Sequence, residues 1–412
     1  MRTLRRELNF LRIMLPIHSS ANEAEQTSLF YSDASDPATL SWLESQLKDK
    51  ISKNGSMSFY DWMSSALYHP QAGYYARGAS RVGKSGDFFT SVSVGSVFGT
   101  LLAERIAKLH QEHSAGSPLN ILELGANTGH LALDVLNAIQ AQHPELYHKV
   151  QYIISEPLES MRQEQTRILA AHADKLLHVA LDALPSLPDY TIFLSNELLD
   201  AFPVRLIQYK QSKWCERVVN WIEDSFQWDT REIRCTETLA FTDTLGQNFS
   251  DGYTTEFRPE LEKLSQTLAQ AIEHGAILCI DYGYAHSELY APHRVEGTLR
   301  CFNRHQANDN PLTQVGEQDI TAHVDFTNWA KVMNRHGFTP SCFERQSSYF
   351  SRLGAAYFNQ KSSEGQPIDP SEIRQFQTLT HPSMLGSQFF VLEACKGASP
   401  STTAMQRLEL DS

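Results

Sequence analysis

The stretch Asn120-Ile-Leu-Glu-Leu-Gly-Ala-Asn-Thr-Gly129 decides the fold. Its first half is a short apolar run that is typical of a buried strand, and its second half is a turn that contains two glycines. Leu131, Val135 and Ile139 then follow at helical spacing. A strand, a glycine turn and a helix in this order form the first half of a βαβ unit.

The same pattern recurs along the chain. The further apolar runs that predict core strands are Tyr152–Glu156, Tyr190–Asn196, Ala276–Asp281, Thr339–Phe343 and Gln388–Ala394. The segments with helical spacing between them are Met161–Leu169, Leu261–Ile272 and Phe326–His336. Strands that alternate with helices predict an α/β fold with a parallel, doubly wound sheet and right-handed crossovers.

Composition and hydrophobic periodicity divide the chain into a core domain and the segments around it. Residues 1–36 predict a flexible lead-in and residues 37–115 a helical cap layer, in which Ser58 caps a helix with Asp61 at its third position. The core domain is predicted over residues 116–396, and the small polar residues of 397–412 predict a flexible tail. Two stretches are too long for βα connections and predict insertions at about 205–258 and 285–325.

Composition excludes several classes of protein. The 412 residues carry 35 Lys and Arg against 48 Asp and Glu, a formal net charge of −13, which argues against nucleic acid as the main partner. No apolar run reaches the roughly 18–20 residues of a membrane-spanning helix. The six cysteines form no Cys-x-x-Cys pair and no zinc-ligand pattern, so we expect reduced thiols and no metal.

The N-terminal stretch Met1–Pro16 combines four arginines with scattered leucines. It allows a mitochondrial presequence or a weak secretory signal, but its apolar run is short, Glu7 interrupts the basic part and no small-residue cleavage site follows. A basic helix or an over-long start is the favoured interpretation. The sequence therefore favours a bacterial cytoplasmic location, with the mitochondrial matrix as the alternative.

A ligand site is predicted at the end of the first core strands. The turn after Glu123 contains Gly125 and Gly129, which let a ligand approach backbone N–H groups at a helix N-terminus. Glu156 ends the next strand, where an acid can accept hydrogen bonds from the hydroxyls of a ribose. A plain structural turn and a helix cap are the alternatives. Together, these residues indicate a ligand that contains adenosine.

A second cluster of polar residues directly follows the strand Tyr190–Asn196. Asn196, Glu197 and Asp200 place an amide and two carboxylates at the same edge of the predicted sheet. One interpretation is a helix N-cap cluster, since acids favour that position. The functional interpretation is a pocket for a cationic or multiply hydrogen-bonding acceptor group.

Longer motifs resemble the MidA family of S-adenosylmethionine-dependent methyltransferases, and they lie within roughly residues 37–396. They are Phe59-Tyr-Asp-Trp-Met-Ser-Ser-Ala-Leu-Tyr-His-Pro70, Gly86-Asp-Phe-Phe-Thr-Ser91, Asn196-Glu-x-x-Asp-Ala-x-Pro-Val204, Trp214-x-Glu-Arg-Val-Val219, Ile280-Asp-Tyr-Gly-Tyr284 and Asp319-Ile-Thr-Ala-His-Val-Asp-Phe326. One stretch departs from the family. The family shows Pro-Gly-Arg-Gly after Glu-Leu-Gly, whereas this chain has Ala126-Asn-Thr-Gly129.

The resemblance implies a Rossmann-like class I methyltransferase sheet with S-adenosylmethionine as cofactor. It implies a cofactor site formed by Gly86, Asp87, Phe88, Glu123, Gly125, Gly129, Glu156 and Asn196. It further implies methyl transfer to an accessible arginine of a protein substrate, as in the mitochondrial member that assists assembly of respiratory complex I.

The predicted acceptor site suits that reaction. A guanidinium stays charged and delocalised near neutral pH, so it must be oriented by carboxylates through paired hydrogen bonds. Glu197 and Asp200 are the predicted clamp. His323 and Asp325 are candidates for further polar groups of the pocket, and His323 could accept a proton, with a structural role as its alternative. Gly86, Asp87 and Phe88 are interpreted as part of a lid, or else as a tight turn. Asp281 is either a strand-end turn residue or a wall of the substrate site.

Two rival functions remain compatible with the sequence. One is methylation of a small molecule at nitrogen or oxygen. The other is an assembly factor that binds the cofactor without catalysis, which the departure at Asn127 keeps open.

Overall fold

A computed structural model describes residues 37–77, 90–114, 116–245, 248–303 and 306–410. They form two compact units. One unit contains the described residues of 37–77, 201–260 and 290–322, and the other contains those of 90–200, 261–289 and 323–410.

The strands are labelled in chain order. They are β1 Met57–Ser58, β2 Leu119–Leu124, β3 Val150–Ser155, β4 Leu176–His178, β5 Tyr190–Asn196, β6 Arg205–Lys210, β7 Lys213–Ile222, β8 Ser225–Glu232, β9 Thr254–Phe257, β10 Gly275–Tyr284, β11 Arg300–Asn303, β12 Gln306–Asn308, β13 Asp319–Thr321, β14 Val324–Asp325, β15 Phe338–Arg345 and β16 Phe389–Lys396.

The α-helices are labelled in the same way. They are α1 Pro37–Asn54, α2 Phe59–Tyr68, α3 Val97–Ser114, α4 His130–Gln142, α5 Pro144–Tyr147, α6 Glu159–Ile168, α7 Thr236–Leu245, α8 Glu260–Ala271, α9 His286–Leu289, α10 Phe326–Arg335, α11 Gln346–Ser363, α12 Pro370–Thr380 and α13 Thr402–Arg407. Ser58 caps α2 as predicted, since its side chain accepts a hydrogen bond from the N–H of Asp61.

The larger unit is built on an eight-stranded sheet. Its order is β15-β16-β10-β5-β2-β3-β4, and β14 pairs with the end of β10. The strands β4, β3, β2, β5 and β10 are parallel. The chain leaves β2 toward β3 on one side and later returns to β5 on the other side, so the carboxyl ends of β2 and β5 form the switch point where ligands bind in such sheets.

The core of this unit is apolar and continuous. Strand β2 is buried at every position, which explains why its sequence is an almost unbroken apolar run. Helices α3 and α4 bury Phe98, Leu102, Leu131 and Val135 in the same hydrophobic cluster as the strand residues. This rigid sheet fixes the strand ends at which the polar residues lie.

The last strand departs from the predicted parallel sheet. Strand β16 runs antiparallel to both β10 and β15. The chain passes through α11 and α12 after β15 and then returns along the sheet in the opposite direction. Antiparallel neighbours permit this return, because the connection need not cross from one end of the sheet to the other. The sheet is therefore mixed at this edge.

The C-terminal residues also differ from the prediction. The flexible tail expected over 397–412 contains helix α13, capped by Ser401. Ala404 and Leu408 are buried, so apolar contacts fix this segment in place. The predicted cap layer over 37–115 is also divided, since α1 and α2 belong to the smaller unit and α3 to the larger one.

The smaller unit contains helices α1, α2 and α7 together with antiparallel strands. Strands β1, β7, β6 and β9 form one sheet, with β8 paired to β7, and β12, β11 and β13 form another. Its hydrophobic cluster includes Leu43, Trp62 and Val219. Glu216 bridges Arg205 and Arg231 at 2.7 and 2.8 Å. Among the described residues of the whole chain, no helix is long and apolar enough to cross a membrane.

Candidate active site

The turn after β2 has a backbone that few side chains tolerate. Gly125, Asn127 and Gly129 have φ values of 73°, 47° and 88°. The φ of Gly125 favours glycine, and a Cβ there would also lie 2.9 Å from Leu198 Cδ1, so the end of that side chain would have to move. Asn127 is tolerated because asparagine adopts the left-handed region more readily than most residues. The predicted glycine turn is present.

Glu156 lies where the sequence predicts it, directly after β3. One carboxylate oxygen accepts the N–H of Leu158 at 3.0 Å, and the other accepts Gln165 Nε2 at 3.3 Å. Burial raises the pKa of Glu156 to about 7, although these hydrogen bonds and Arg162 lower it. The carboxylate thus has a partial capping role and also lies beside the turn after β2.

Glu123 is less accessible than a ligand-binding residue would be. Its side chain is 2% exposed and accepts a hydrogen bond from the Tyr152 hydroxyl at 2.6 Å. Burial raises the pKa of Glu123 to about 7. The contact that the structure shows is with the neighbouring strand, so direct cofactor binding by Glu123 stays a prediction.

Asn196 and Glu197 end β5 and lie together. Asn196 Nδ2 donates to Glu197 Oε1 at 3.0 Å, and the backbone N–H of Ser91 donates to the same oxygen at 3.3 Å. Glu197 has φ 52°, an uncommon and strained value for glutamate. Within the described residues, the buried Oδ1 of Asn196 has no hydrogen-bond partner. That oxygen is an acceptor suited to a ligand's donor.

Asp281 holds the segment after Glu197. One of its carboxylate oxygens accepts the N–H groups of Leu198, Leu199 and Asp200 at 3.2, 2.8 and 3.4 Å. The Asp281 side chain is fully buried. Residues 197–200 form a bend rather than a helix, so the interpretation of Glu197 and Asp200 as a helix N-cap cluster is wrong. Asp281 is the anchor of this bend, a role that the sequence analysis did not identify.

Aromatic and acidic side chains meet at the end of β10. Burial and the nearby carboxylates of Glu197, Asp200 and Asp281 raise the pKa of Tyr282 well above its ordinary value. The His323 ring is stacked on Tyr282 at 6.2 Å between centroids and lies 5.3 Å from Tyr284. The predicted acceptor residues Glu197, Asp200 and His323 thus all surround Tyr282.

Other predicted residues have different placements. Asp325 caps α10 by accepting the N–H of Asn328 at 2.9 Å, which is a structural role. Gly86, Asp87 and Phe88 lie outside the described residues. Gln165 is a residue that sequence reasoning missed, because a buried polar side chain within a polar helix leaves no pattern in the sequence.

Comparison with protein families identifies the chain. The sequence model of a family described as S-adenosyl-L-methionine-dependent methyltransferases matches residues 101–343 of this chain. These residues include every strand of the parallel part of the sheet. The chain belongs to the MidA family of S-adenosylmethionine-dependent methyltransferases. The resemblance noted in the sequence and the Rossmann-like class I fold are confirmed.

Named relatives of this methyltransferase have similar lengths. The "Protein arginine methyltransferase NDUFAF7 homolog, mitochondrial" of Drosophila melanogaster is 26% identical over 386 residues, covering 86% of this chain and 85% of the relative. The "Protein arginine methyltransferase NDUFAF7, mitochondrial" of Danio rerio is 26% identical and covers 83% and 84%.

Solved structures agree with this assignment. A superfamily member from Burkholderia thailandensis, crystallised with S-adenosyl-homocysteine, is 28% identical with a TM-score of 0.78, covering 90% of this chain and 97% of that one. A native structure from the same organism is 30% identical with a TM-score of 0.74 and covers 90% and 96%. S-adenosylmethionine is therefore the cofactor of this methyltransferase.

The residues at the switch point fit this cofactor. The amino group and ribose hydroxyls of S-adenosylmethionine are hydrogen-bond donors, and Asn196 Oδ1 and the Glu156 carboxylate are acceptors at the ends of β5 and β3. Gly125, at the turn after β2, has no side chain that would approach Leu198 in the segment after β5. Asn127 adopts a φ of 47°, in the left-handed region that Gly125 and Gly129 also occupy, so the departure from the family pattern leaves the turn in place.

Proposed function

We propose that this methyltransferase methylates an arginine side chain of a protein substrate. The observation that carries the proposal is the concentration of carboxylates around Tyr282 at the ends of β5 and β10, within one unit with the cofactor turn. A guanidinium is the side chain that such a group of acids binds best, since its planar fork of donors matches carboxylate oxygens.

Each acidic residue has a distinct part in the proposal. Glu197 has one oxygen fixed by Asn196 and Ser91, so its carboxylate has a defined orientation. Asp200 is 6% exposed, and its backbone N–H is held by Asp281. Asp200 is therefore the second and less accessible carboxylate of the proposed clamp. Paired hydrogen bonds to these carboxylates hold the positive charge on two guanidinium nitrogens and leave the third to react.

The cofactor supplies an electrophilic methyl group when it is bound. The residues of this chain supply orientation, since placing a nucleophile in line accounts for a large part of the rate in such displacements. The reacting nitrogen loses a proton during methylation, and His323 beside Tyr282 is the proposed acceptor for that proton.

The test is product identification. Purified protein is incubated with methyl-labelled S-adenosylmethionine and either cell protein or a metabolite extract, and labelled protein is hydrolysed for amino-acid analysis. We expect label in methylarginine, reduced about a hundredfold or more in Asp200→Asn. Glu145→Gln, an exposed position on α5, is the matched control. Label only in the metabolite extract would favour the small-molecule alternative.

We also propose a location and a biological role for the protein. The curated relatives are named as mitochondrial proteins, whereas the similar solved structures come from a bacterium. We propose a bacterial cytoplasmic protein that methylates a subunit of a respiratory complex. Identification of the labelled protein by mass spectrometry tests this role.

A further inference from the structure

Gln165 lies beneath the cofactor turn and contacts three separate elements. Its Nε2 donates to the backbone oxygen of Asn127 at 2.6 Å and to Glu156 Oε2 at 3.3 Å. Its Oε1 lies 2.9 Å from His178 Nε2 on β4. The side chain is fully buried, so each of these hydrogen bonds replaces one to water.

The chemistry of the partners fixes the orientation of this amide. Asn127 O and the ionised Glu156 carboxylate only accept hydrogen bonds, so the group that faces them must be the –NH₂. The opposite oxygen is then an acceptor, and His178 must carry its proton on Nε2. Burial and Arg162 lower the pKa of His178, which favours this neutral ring.

Gln165 also limits the space below the turn. A Cβ at Gly129 would lie 3.4 Å from Gln165 Cγ, so the turn rests directly on this side chain. One amide therefore supports the backbone of the turn after β2 and orients the acid after β3, the two features that the cofactor spans.

We propose that Gln165 is a positioning residue for S-adenosylmethionine. Its two N–H groups couple the Asn127 turn to the Glu156 carboxylate, and His178 fixes the direction of the amide. The role is independent of the methyl acceptor, so it stands whether the substrate is an arginine or a small molecule.

Cofactor binding should depend on pH through Glu156. Glu156 accepts ribose hydroxyls as a carboxylate, and the Gln165 N–H stabilises that charged form. Among the described residues, Arg162 on α6 acts on Glu156, and His178 on β4, at the other end of the amide, is influenced by Arg162 and Glu159. Loss of the Gln165 amide removes one stabilising hydrogen bond and leaves Arg162 in place, so Glu156 should ionise at higher pH.

Calorimetric titration with S-adenosylhomocysteine, repeated at several pH values between about 5.5 and 9, tests the role of Gln165. Gln165→Met keeps the length and volume of the side chain but has no amide. We expect about tenfold weaker binding near pH 7, with the midpoint of the pH dependence moved upward. Gln163→Met, an exposed exchange on the same helix, should bind as the wild type does.

The pH profile separates positioning from a merely structural role. Unchanged affinity, or an equal loss at every pH with an unmoved midpoint, would overturn the proposal. Circular dichroism and thermal unfolding establish that each variant is folded. If Gln165→Met does not fold, Gln165→Asn keeps the amide but shortens its reach, and we expect the same upward displacement of the midpoint.

Discussion

The two sides of the active site are built by different means. The cofactor side uses the ends of adjacent parallel strands, β2 and β3, with a glycine turn supported by one neutral amide. The acceptor side uses β5 and β10, with a bend held by the fully buried Asp281 carboxylate. The cofactor side therefore depends on the backbone conformation of its turn and on one strand-end acid, Glu156, whereas the acceptor side depends on a bend that a buried carboxylate holds.

The largest expected effect is at the acceptor side. Asp281→Ala leaves three backbone N–H groups of residues 198–200 without their charged acceptor. We expect the free energy of unfolding to fall by about 3–5 kcal/mol, because a buried charged network is broken. Urea unfolding measures this, and Asp174→Ala at an exposed site paired with Lys175 is the control. A loss below about 1 kcal/mol would mean that the bend is held by something else.

The next effect is at the cofactor turn. Gly125→Ala combines a φ of 73° with a Cβ 2.9 Å from Leu198. We expect S-adenosylhomocysteine to bind about ten- to a hundredfold more weakly, from a strain of about 1–3 kcal/mol. Gly365→Ala, in the turn after α11, has a similar φ of 68° and no atom within 4 Å, so it is the control for the general loss of stability that a left-handed alanine causes. Equal effects of the two variants on binding would contradict the account.

The ionised Glu156 carboxylate should lower the stability of the fold while it strengthens cofactor binding. Its pKa is raised from 4.5 to about 7, so the folded protein holds this proton more tightly than the unfolded chain does. The ionised group therefore destabilises the protein increasingly as the pH rises from about 4.5 to 7. Without cofactor, Glu156→Gln should be more stable by about 1–3 kcal/mol at about pH 8 and unchanged at about pH 4.

The same variant should lose cofactor affinity. Urea unfolding at the two pH values and titration with S-adenosylhomocysteine measure the two effects on one sample. Glu145→Gln is the exposed control. A variant that is less stable at the higher pH would show that the carboxylate stabilises the fold.

The smallest expected effect is at Asn127. Glycine adopts the left-handed φ of 47° at least as readily as asparagine, so the backbone of the turn should keep its conformation. Asn127→Gly should therefore change affinity for S-adenosylhomocysteine by less than about threefold. Calorimetry measures it. A tenfold gain would mean that the departure from the family pattern does weaken cofactor binding.

The sequence predicts the cofactor side better than the acceptor side. The glycine turn directly follows the strand β2, and Glu156 directly follows the apolar run of β3, so local pattern predicts the placement of both. Asp281 lies more than 80 residues from the backbone groups that it holds, and no local pattern reports that contact. Whether a strand-end acid binds substrate or anchors a bend depends on its neighbours in space.

The same reasoning explains the other differences. The reversal of β16 follows from the path of α11 and α12, to which the sequence analysis assigned no element. These helices have few buried residues apart from aromatics, and Gly354 lies against the ring of Phe376. Gln165 could not be predicted because buried amides in polar helices look like surface residues in a sequence.

The most direct test of the division between the two sides is Glu197→Gln, with cofactor binding and methyl transfer measured on the same preparation. Glutamine keeps an oxygen for Asn196 and Ser91 but removes the charge that the proposed guanidinium requires. We predict S-adenosylhomocysteine affinity within about threefold of wild type and methylarginine formation lowered about a hundredfold or more. Retained transfer, or an equal loss of binding and transfer, would contradict the account.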